Sequence, residues 1–471
     1  MNLSVALSSA QSALSATSTQ TSIISRNISG AADPGYSRKM GLTSSMGLGG
    51  VKLVSVGRAA DTALHARMLE ANSGASAQQA LLEGFETLAR TVDDPQLNQS
   101  VSASLGKLTD ALQMQAESPG DPVLGAATLS AAYDLTGTLN NAAQTTQGAR
   151  AEADAAMADS VDRINELLTR FEGANRAIVV GTQSGTDVSD ELDTRDRILD
   201  ELSQEVGIST VTRAGNDMVI YTDSGVTLFE KSARTISFNR TFAYDAGTTG
   251  AAVFADGVPL TGAGASMGIK SGALHGHATL RDEVAPQYQL QLDEIARGLV
   301  HAFGEPAPGG AAGIFVDPGP AGPGLAARIG VSPDVDPALG GDLARLRDGV
   351  TVNFNPAGDA AFSDRIHAML EALEAPQGFD PATGINPNTT LSRFASSSVS
   401  WLEAGRQQAS QEASFRDTML ERTRESLSNV TGVNLDEELA LMMELERSYG
   451  ASARIISTVD TMLQSLLAAT R

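Results

Sequence analysis

Residues 433–471 read V-N-L-D-E-E-L-A-L-M-M-E-L-E-R-S-Y-G-A-S-A-R-I-I-S-T-V-D-T-M-L-Q-S-L-L-A-A-T-R. Asn434 is placed to cap a helix, Asp436 and Glu437 fall in its first turn facing the positive end of the dipole, and Glu437 occupies the capping-box position. Behind the cap, Leu435, Leu439, Met442, Leu445, Tyr449, Ala453, Ile456, Val459, Leu463 and Leu466 recur at steps of three and four, the period of a coiled-coil seam. A helix of this length runs for about 50 Å and cannot bury its own stripe, so the pattern demands a partner. Glu438 and Gln464 fall off the seam and are expected to tolerate substitution.

The matching pattern stands at the opposite end of the chain. Leu3, Leu7, Ala10, Leu14, Thr17, Thr21, Ile24 and Ile28 alternate steps of four and three without a break. Thr17 and Thr21 sit where leucine would bury more, and helices gain most of their stability from packing, so this end is expected to order only against a partner. The expected assembly interface is therefore Leu3, Leu7, Ala10, Leu14, Ile24 and Ile28 together with Leu435, Leu439, Met442, Tyr449, Ile456, Val459, Leu463 and Leu466. The plainer alternative is two amphipathic helices packed into one ordinary core.

Composition narrows the class. A chain of 471 residues has room for several domains. With 33 basic against 56 acidic side chains, a net charge of -23 and no cluster of Lys and Arg, nucleic acid is not an expected partner. Cysteine is absent, which removes disulfides and thiolate metal sites. The first residues lack the basic and apolar regions of a cleaved secretory signal, and no apolar run is long enough to span a bilayer, so neither that route nor membrane insertion is expected. An aromatic content of only 4% suits long helices packed through small side chains better than an aromatic-lined pocket.

Between the ends the periodicity changes twice. Gly30 and Asp33-Pro34-Gly35 stop the first helix, and Val51, Leu53, Val54 and Val56 read as a short strand or extended arm. From Asp61 to about Arg176 the pattern is helical, broken at Asp93-Asp94-Pro95 and at Ser118-Pro119-Gly120-Asp121-Pro122, and it resumes over 187–204. From Gly207 to Leu260 the period is two, with turn signals at Gly215-Asn216-Asp217, Asp223-Ser224-Gly225 and Asp256-Gly257. Helical pattern returns from Ala273 through Phe303, near Asp359 and from Leu391. The fold class expected is mainly α with a small β module: a terminal α-helical coiled coil (1–35 plus 433–471), a long helical rod domain (36–205 plus 273–432) and an inserted antiparallel β domain (206–272). Such nesting implies a chain that runs out along an axis and comes back.

Candidate chemistry is sparse. Asp193, Asp196 and Asp200 share a helical spacing that a cation or an acid–base pair could use, yet Arg195 and Arg197 between them make an exposed ion-paired helix a sufficient account. His275 and His277 with Asp282 and Glu283 could meet zinc, but a solvated loop entering a helix explains them as well. Gly264 to Ser271 is not a phosphate loop, because Ile269 separates Gly268 from Lys270. Trp401 and Tyr449 read as core or interface aromatics. No catalytic residue, metal or cofactor is expected; the rival from another class is an extracellular hydrolase or adhesin with a helical stalk.

Asn27-Ile28 followed by Pro34-Gly35-Tyr36-Ser37-Arg38, and above all Gly432-Val433-Asn434-Leu435-Asp436-Glu437-Glu438, resemble the axial proteins of the bacterial flagellum. Asp193-Thr-Arg-Asp196-Arg-Ile-Leu-Asp200-Glu-Leu202, Tyr221-Thr-Asp-Ser-Gly225-Val-Thr-Leu228 and Tyr288-Gln-Leu-Gln-Leu292-Asp-Glu-Ile295-Ala support the likeness. One departure is Arg26-Asn27-Ile28-Ser29-Gly30, where the family usually carries Asn-Asn-Ile-Ala-Asn. The resemblance implies a structural adaptor without catalysis that joins hook to filament. Its implied neighbours are copies of itself in a ring, the hook protein, a second junction protein and the filament, with an export chaperone at the C-terminal helix. It also implies type III export without a cleaved signal and an extracellular place in the flagellum; a hook or distal rod protein is the nearest alternative.

Overall fold

A computed structural model describes residues 3–46, 50–92, 100–306, 313–320 and 322–469. In chain order, α1 (Leu3–Gly30) leads into β1 (Lys39–Met46), β2 (Gly50–Arg58), α2 (Thr62–Ala89), α3 (Val101–Glu117), α4 (Pro122–Ser184) and α5 (Ser189–Glu205). Six short strands follow: β3 (Ile208–Thr212), β4 (Met218–Thr222), β5 (Thr227–Phe229), β6 (Ile236–Ser237), β7 (Phe254–Ala255) and β8 (Val258–Pro259). Then come α6 (Ala273–Thr279), a π-helical turn (Leu280–Val284) and α7 (Ala285–Ala302). After β9 (Phe315–Val316), α8 (Leu325–Arg328), β10 (Gly330–Val331), α9 (Arg345–Asp348) and α10 (Asp364–Glu374), the chain closes with α11 (Leu391–Thr431) and α12 (Leu435–Ala469). The chain is mainly α with small antiparallel sheets, as the periodicity indicated.

Local chemistry sets the element ends. Ser100 caps α3 by accepting the Ala103 N–H at 3.1 Å, and α4 opens on Pro122 with the Asp121 carboxylate accepting the Val123 N–H at 2.8 Å. The helix expected to end near Arg176 continues to Ser184, because nothing interrupts it before Gly185, which sits at φ +72. There Thr186 N–H returns to the Gly181 carbonyl at 3.0 Å, the six-to-one bond of a Schellman stop. The break expected at Asp93-Asp94-Pro95 lies outside the described residues.

The chain divides into two compact units. The first takes residues Met1–Ala75, Arg163–Ile236 and Arg416–Arg471. Here α1 packs against α12 and against the β1–β2 hairpin. Gly41 lies so close to the helix that a Cβ would come within 2.8 Å of Leu53 and 3.1 Å of Ile23. The arm read at Val51–Val56 is thus one strand of a hairpin whose other strand was not foreseen: Lys39–Met46 is rich in Gly, Ser and Thr, and its order comes from pairing with β2. In the same unit α5 buries Ile198, Leu199 and Leu202, and the β3–β4–β5 sheet buries Val219, Ile220 and Leu228, with Phe171 and Phe229 edge-on at 4.9 Å.

The second unit takes Ser76–Asp162 and Ser237–Phe415. Its core runs through Leu105, Leu112, Leu139, Leu292, Leu299 and Ile366, with Phe303 on Phe315 and Phe379 stacked on Phe394. Tyr288 stacks on Trp401, which accounts for that tryptophan as a packing residue. The π-turn carries Arg281 into the interior, where its guanidinium donates to Asp154 at 2.7 Å and to the Ala251 carbonyl at 2.8 Å. A turn widened by one residue at this point lets a fully buried cation reach a fully buried carboxylate. The β7–β8 hairpin belongs to this unit, and the β3–β4–β5 sheet to the other.

Candidate assembly interface

The residues expected to form one seam are unequally covered. Toward α1, α12 turns Glu438, Ser452 and Val459, which are buried, and Met442, Leu445 and Ile456, which are half-buried. From α1, Ala10, Thr17 and Ile24 are buried, and Leu3, Leu7, Leu14 and Ile28 are half-buried. Leu435, Leu439, Tyr449, Leu463 and Leu466 are exposed, and so are Leu441, Met443 and Ile455. α12 is therefore satisfied only in part inside the chain: Leu435, Leu439 and Met443 lie to one side of the α1-facing residues and are exposed, and Tyr449 and Leu463, which share the heptad positions of Met442 and Ile456, are exposed as well. Ala16, Ile23 and Asn27 are buried on α1 but fall outside the heptad, because the β1–β2 hairpin covers a second side of that helix.

A buried polar cluster fixes how these elements meet. Asn27 Nδ2 donates to the Lys39 carbonyl at 2.9 Å and to Glu438 Oε2 at 3.1 Å, and Asn27 Oδ1 accepts from the Lys39 N–H at 2.8 Å and the Tyr36 hydroxyl at 3.0 Å. The amide thus makes four bonds with all its donors and acceptors matched, as a buried polar side chain must. Glu438 is wholly buried and receives Arg38 Nε at 2.6 Å, while Arg38 N–H reaches the Thr431 carbonyl at 2.8 Å. This corrects the expectation that Glu438 is an off-seam surface residue: it shares the heptad position of Leu445, Ser452 and Val459 and faces α1 and the hairpin. Glu437 turns to Arg38 at 3.5 Å, and the α12 cap is Asn434 accepting from Asp436 N–H at 3.0 Å.

The departure at Gly30 has a structural cause. The Tyr36 ring folds over this glycine so closely that a Cβ there would lie 2.6 Å from the ring. Burial, together with Asp190, Asp193 and Glu438 and against Arg26, pushes the Tyr36 phenol up to about 12, so it stays a hydrogen-bond donor to Asn27. An open groove of about 640 Å³ adjoins it, lined by Gly30, Asp33, Tyr36, Gly432, Asn434 and Asp436.

The α5 carboxylates join the same cluster. Asp193 is buried and takes the Lys39 ammonium on Oδ2 and Arg58 on Oδ1 at 2.9 Å; Arg58 also reaches Asp196 at 2.6 Å. Asp200 meets His65 at 3.2 Å, and Arg26 spans Asp187 at 3.2 Å and Asp190 at 2.7 Å. The reading of an exposed helix paired through its own arginines is corrected: the partners are Lys39, Arg58 and His65 from the hairpin and α2. Arg195 is itself buried, donating to the Asn216 carbonyl at 2.6 Å and to Asn175, and burial lowers it to about 10. Lone basic residues far away in sequence gave no local signal for these pairs; only the spacing of the aspartates was visible.

The histidines do not form a site. His277 lines a cavity of about 220 Å³ with Glu83 and Glu152, and burial pushes its imidazole down toward the neutral form. His275 lies two residues away on α6 and is half-buried. Among the described residues no three His, Asp or Glu side chains converge as metal ligands, and no helix is long and apolar enough to cross a membrane.

Terminal helices that pair with each other, are joined by buried bonds between positions far apart in the chain, and leave apolar side chains exposed are suited to packing against further helices. The comparisons with known proteins agree in kind. The flagellar hook-associated protein FlgK helical domain matches residues 85–311, and the flagellar basal body rod FlgEFG protein C-terminal domain matches residues 427–469. Flagellar hook-associated protein 1 of Escherichia coli is 25% identical over 316 residues, and that of Salmonella typhimurium 24% over 315. Each match takes 64% of this chain and 56% of the relative, so the matched part spans little more than half the relatives' length. A solved structure, the flagellar hook junction protein FlgK from Burkholderia pseudomallei, is similar over 54% of this chain and 47% of its own, at a TM-score of 0.44 and 20% identity. Both family matches are to axial proteins of the bacterial flagellum, which the chain resembles in its helical middle and its C-terminal helix. Over its helical domain it is similar to flagellar hook-associated protein 1.

Proposed function

We propose that this chain is the structural adaptor that joins hook to filament, acting by assembly and without catalysis. The observation that carries the reading is the two-sided α12: Met442, Ile456 and Val459 turn toward α1, and Leu435, Leu439 and Met443 stay exposed for a neighbour. On this reading the segments 1–35 and 433–471 form the inner tube, residues 36–205 with 273–432 the rod, and residues 206–272 an outer module. The ring is made of copies of the chain, bounded by the hook protein on one side and by a second junction protein and the filament on the other. The C-terminal helix, apolar and exposed before assembly, suits an export chaperone that covers it, and the assembled protein is extracellular.

The test is a deletion strain viewed by electron microscopy. Cells lacking the chain should carry hooks without filaments, and the wild-type chain should restore the filaments. Filaments of normal number on the deletion strain would overturn the reading.

A further inference from the structure

A single copy leaves two unlike surfaces uncovered. The outer face of the hairpin shows Met40, Leu42 and Val54, which are 42%, 59% and 64% exposed. Its inner face is already used, with Leu53 and Gly41 on Ile23 of α1, and a two-stranded hairpin is marginal in water unless something packs on it. Lys52 is the one charged residue from 40 to 57. The second surface is the α12 stripe Leu435, Leu439 and Met443, at steps of four, with Glu446 three residues further along the same face. Leu439 is 49% exposed and Met443 55%, so hairpin and stripe do not cover each other within one copy. Among the described residues neither Lys52 nor Glu446 is part of a salt bridge.

We propose that the outer face of the hairpin docks on the Leu435–Leu439–Met443 stripe of α12 in a second copy of this chain, with Lys52 meeting Glu446. This rests on the reading of the chain as a self-assembling subunit and assigns the residues of that contact. Two chains of charge -23 repel each other as wholes, so a contact needs a place where the local charges are opposite. A lone lysine in an otherwise uncharged apolar face, set against an apolar stripe that ends in a glutamate, is such a place. Because the two surfaces differ, each copy offers its hairpin to one neighbour and its stripe to another. A contact of this heterologous kind repeats until it closes a ring or runs on as a helix.

The absence of cysteine makes the test direct, since engineered thiols are the only ones in this chain. Val54→Cys in one copy and Met443→Cys in another are expressed together in the deletion strain, and isolated flagella are treated with a short bis-maleimide. Leu42→Cys with Leu439→Cys serves as an independent pair. The expected result is a covalent dimer of this chain when both copies are present and none with either alone. Lys52→Glu in the Val54→Cys copy should lower the dimer yield about five-fold, and adding Glu446→Lys to the Met443→Cys copy should restore it. Flagella that contain both copies without a dimer, a cross-link to a different protein, or failure of the double reversal to restore the yield would each overturn the contact while leaving the adaptor reading intact. Absence of the chain from flagella would overturn both.

Discussion

Asn27 shows how much one side chain can organise. Its amide bonds to Lys39 at both backbone groups, to Tyr36 and to Glu438, so Asn27→Leu strips partners from several buried groups at once. Each buried group left unsatisfied costs about 1–3 kcal/mol, and the unfolding transition of the first unit should shift by at least that much in denaturant melts. A shift no larger than that of an exposed substitution would show the cluster to be incidental. A second residue tests pH. Burial works against the charge on His65, but the bond to Asp200 and the charges of Asp196 and Asp200 outweigh it and raise its pKa. A folded value above the unfolded one, about 6.5, means that the pair's contribution is fully present below that value and fades as pH rises through the folded pKa. The partly buried Asp200 is raised as well, by burial first, which acts in the same direction. His65→Gln should therefore melt below wild type near about pH 5.5 and approach it near about pH 8. A gap that widens with rising pH would contradict this assignment.

Among the elements, α12 is the one on which the proposed assembly rests. Leu439 is exposed in one copy, so Leu439→Asp should leave the melting of the isolated chain within about 0.5 kcal/mol of wild type. In the assembly the same carboxylate would be buried against a neighbour at a cost of several kcal/mol, and filament attachment should be lost. Normal attachment would remove Leu439 from the interface, provided that secretion of the variant is equal to wild type. Gln464→Lys is the mild control, whereas Glu438→Lys would place a cation against Arg38 and should unfold the first unit's cluster. The heptads made the two helices and their mutual attraction legible in the sequence, because apolar spacing alone fixes a helix face. They could not tell which leucines face α1 and which face outward, since a period of three and four is shared by both. Nor did they reveal the hairpin, whose first strand lacks a β signature, or the pairing of Asp193 with Lys39 and Arg58, which spans 154 and 135 positions. Those follow only once the elements are in place.

At the scale of the whole molecule, charge sets the conditions for assembly. Copies of charge -23 repel over distances longer than any single contact, and salt shortens that reach to about 10 Å at 0.1 M. Association measured by sedimentation should strengthen as salt rises from low to physiological concentration, because the net repulsion is screened more than the apolar contact is weakened. Weakening over that range would show that opposite charges dominate the interface. Metal should have no part in stability: both oxygens of Asp193 already hold cations, and the cavity at His277 is lined mostly by Ala80, Ala149, Ala153, Ala156 and Leu280, with no three ligand side chains converging among the described residues. A chelator should leave the melting curve unchanged, and stoichiometric zinc or calcium in the purified protein would overturn that.

The bond from Asn27 to Glu438 joins positions 411 residues apart. Whatever end of the chain appears first must wait for the other before its buried amide, its lysine backbone and its carboxylate can be matched. Until then the first segment holds polar groups that have no place to be buried, and burying them unmatched is unfavourable. The latch therefore reads chain completeness: a truncated copy, however well its middle folds, arrives without the group that would let its N-terminal helix settle. A ring built from such subunits would admit whole chains and turn away fragments without any separate inspection step.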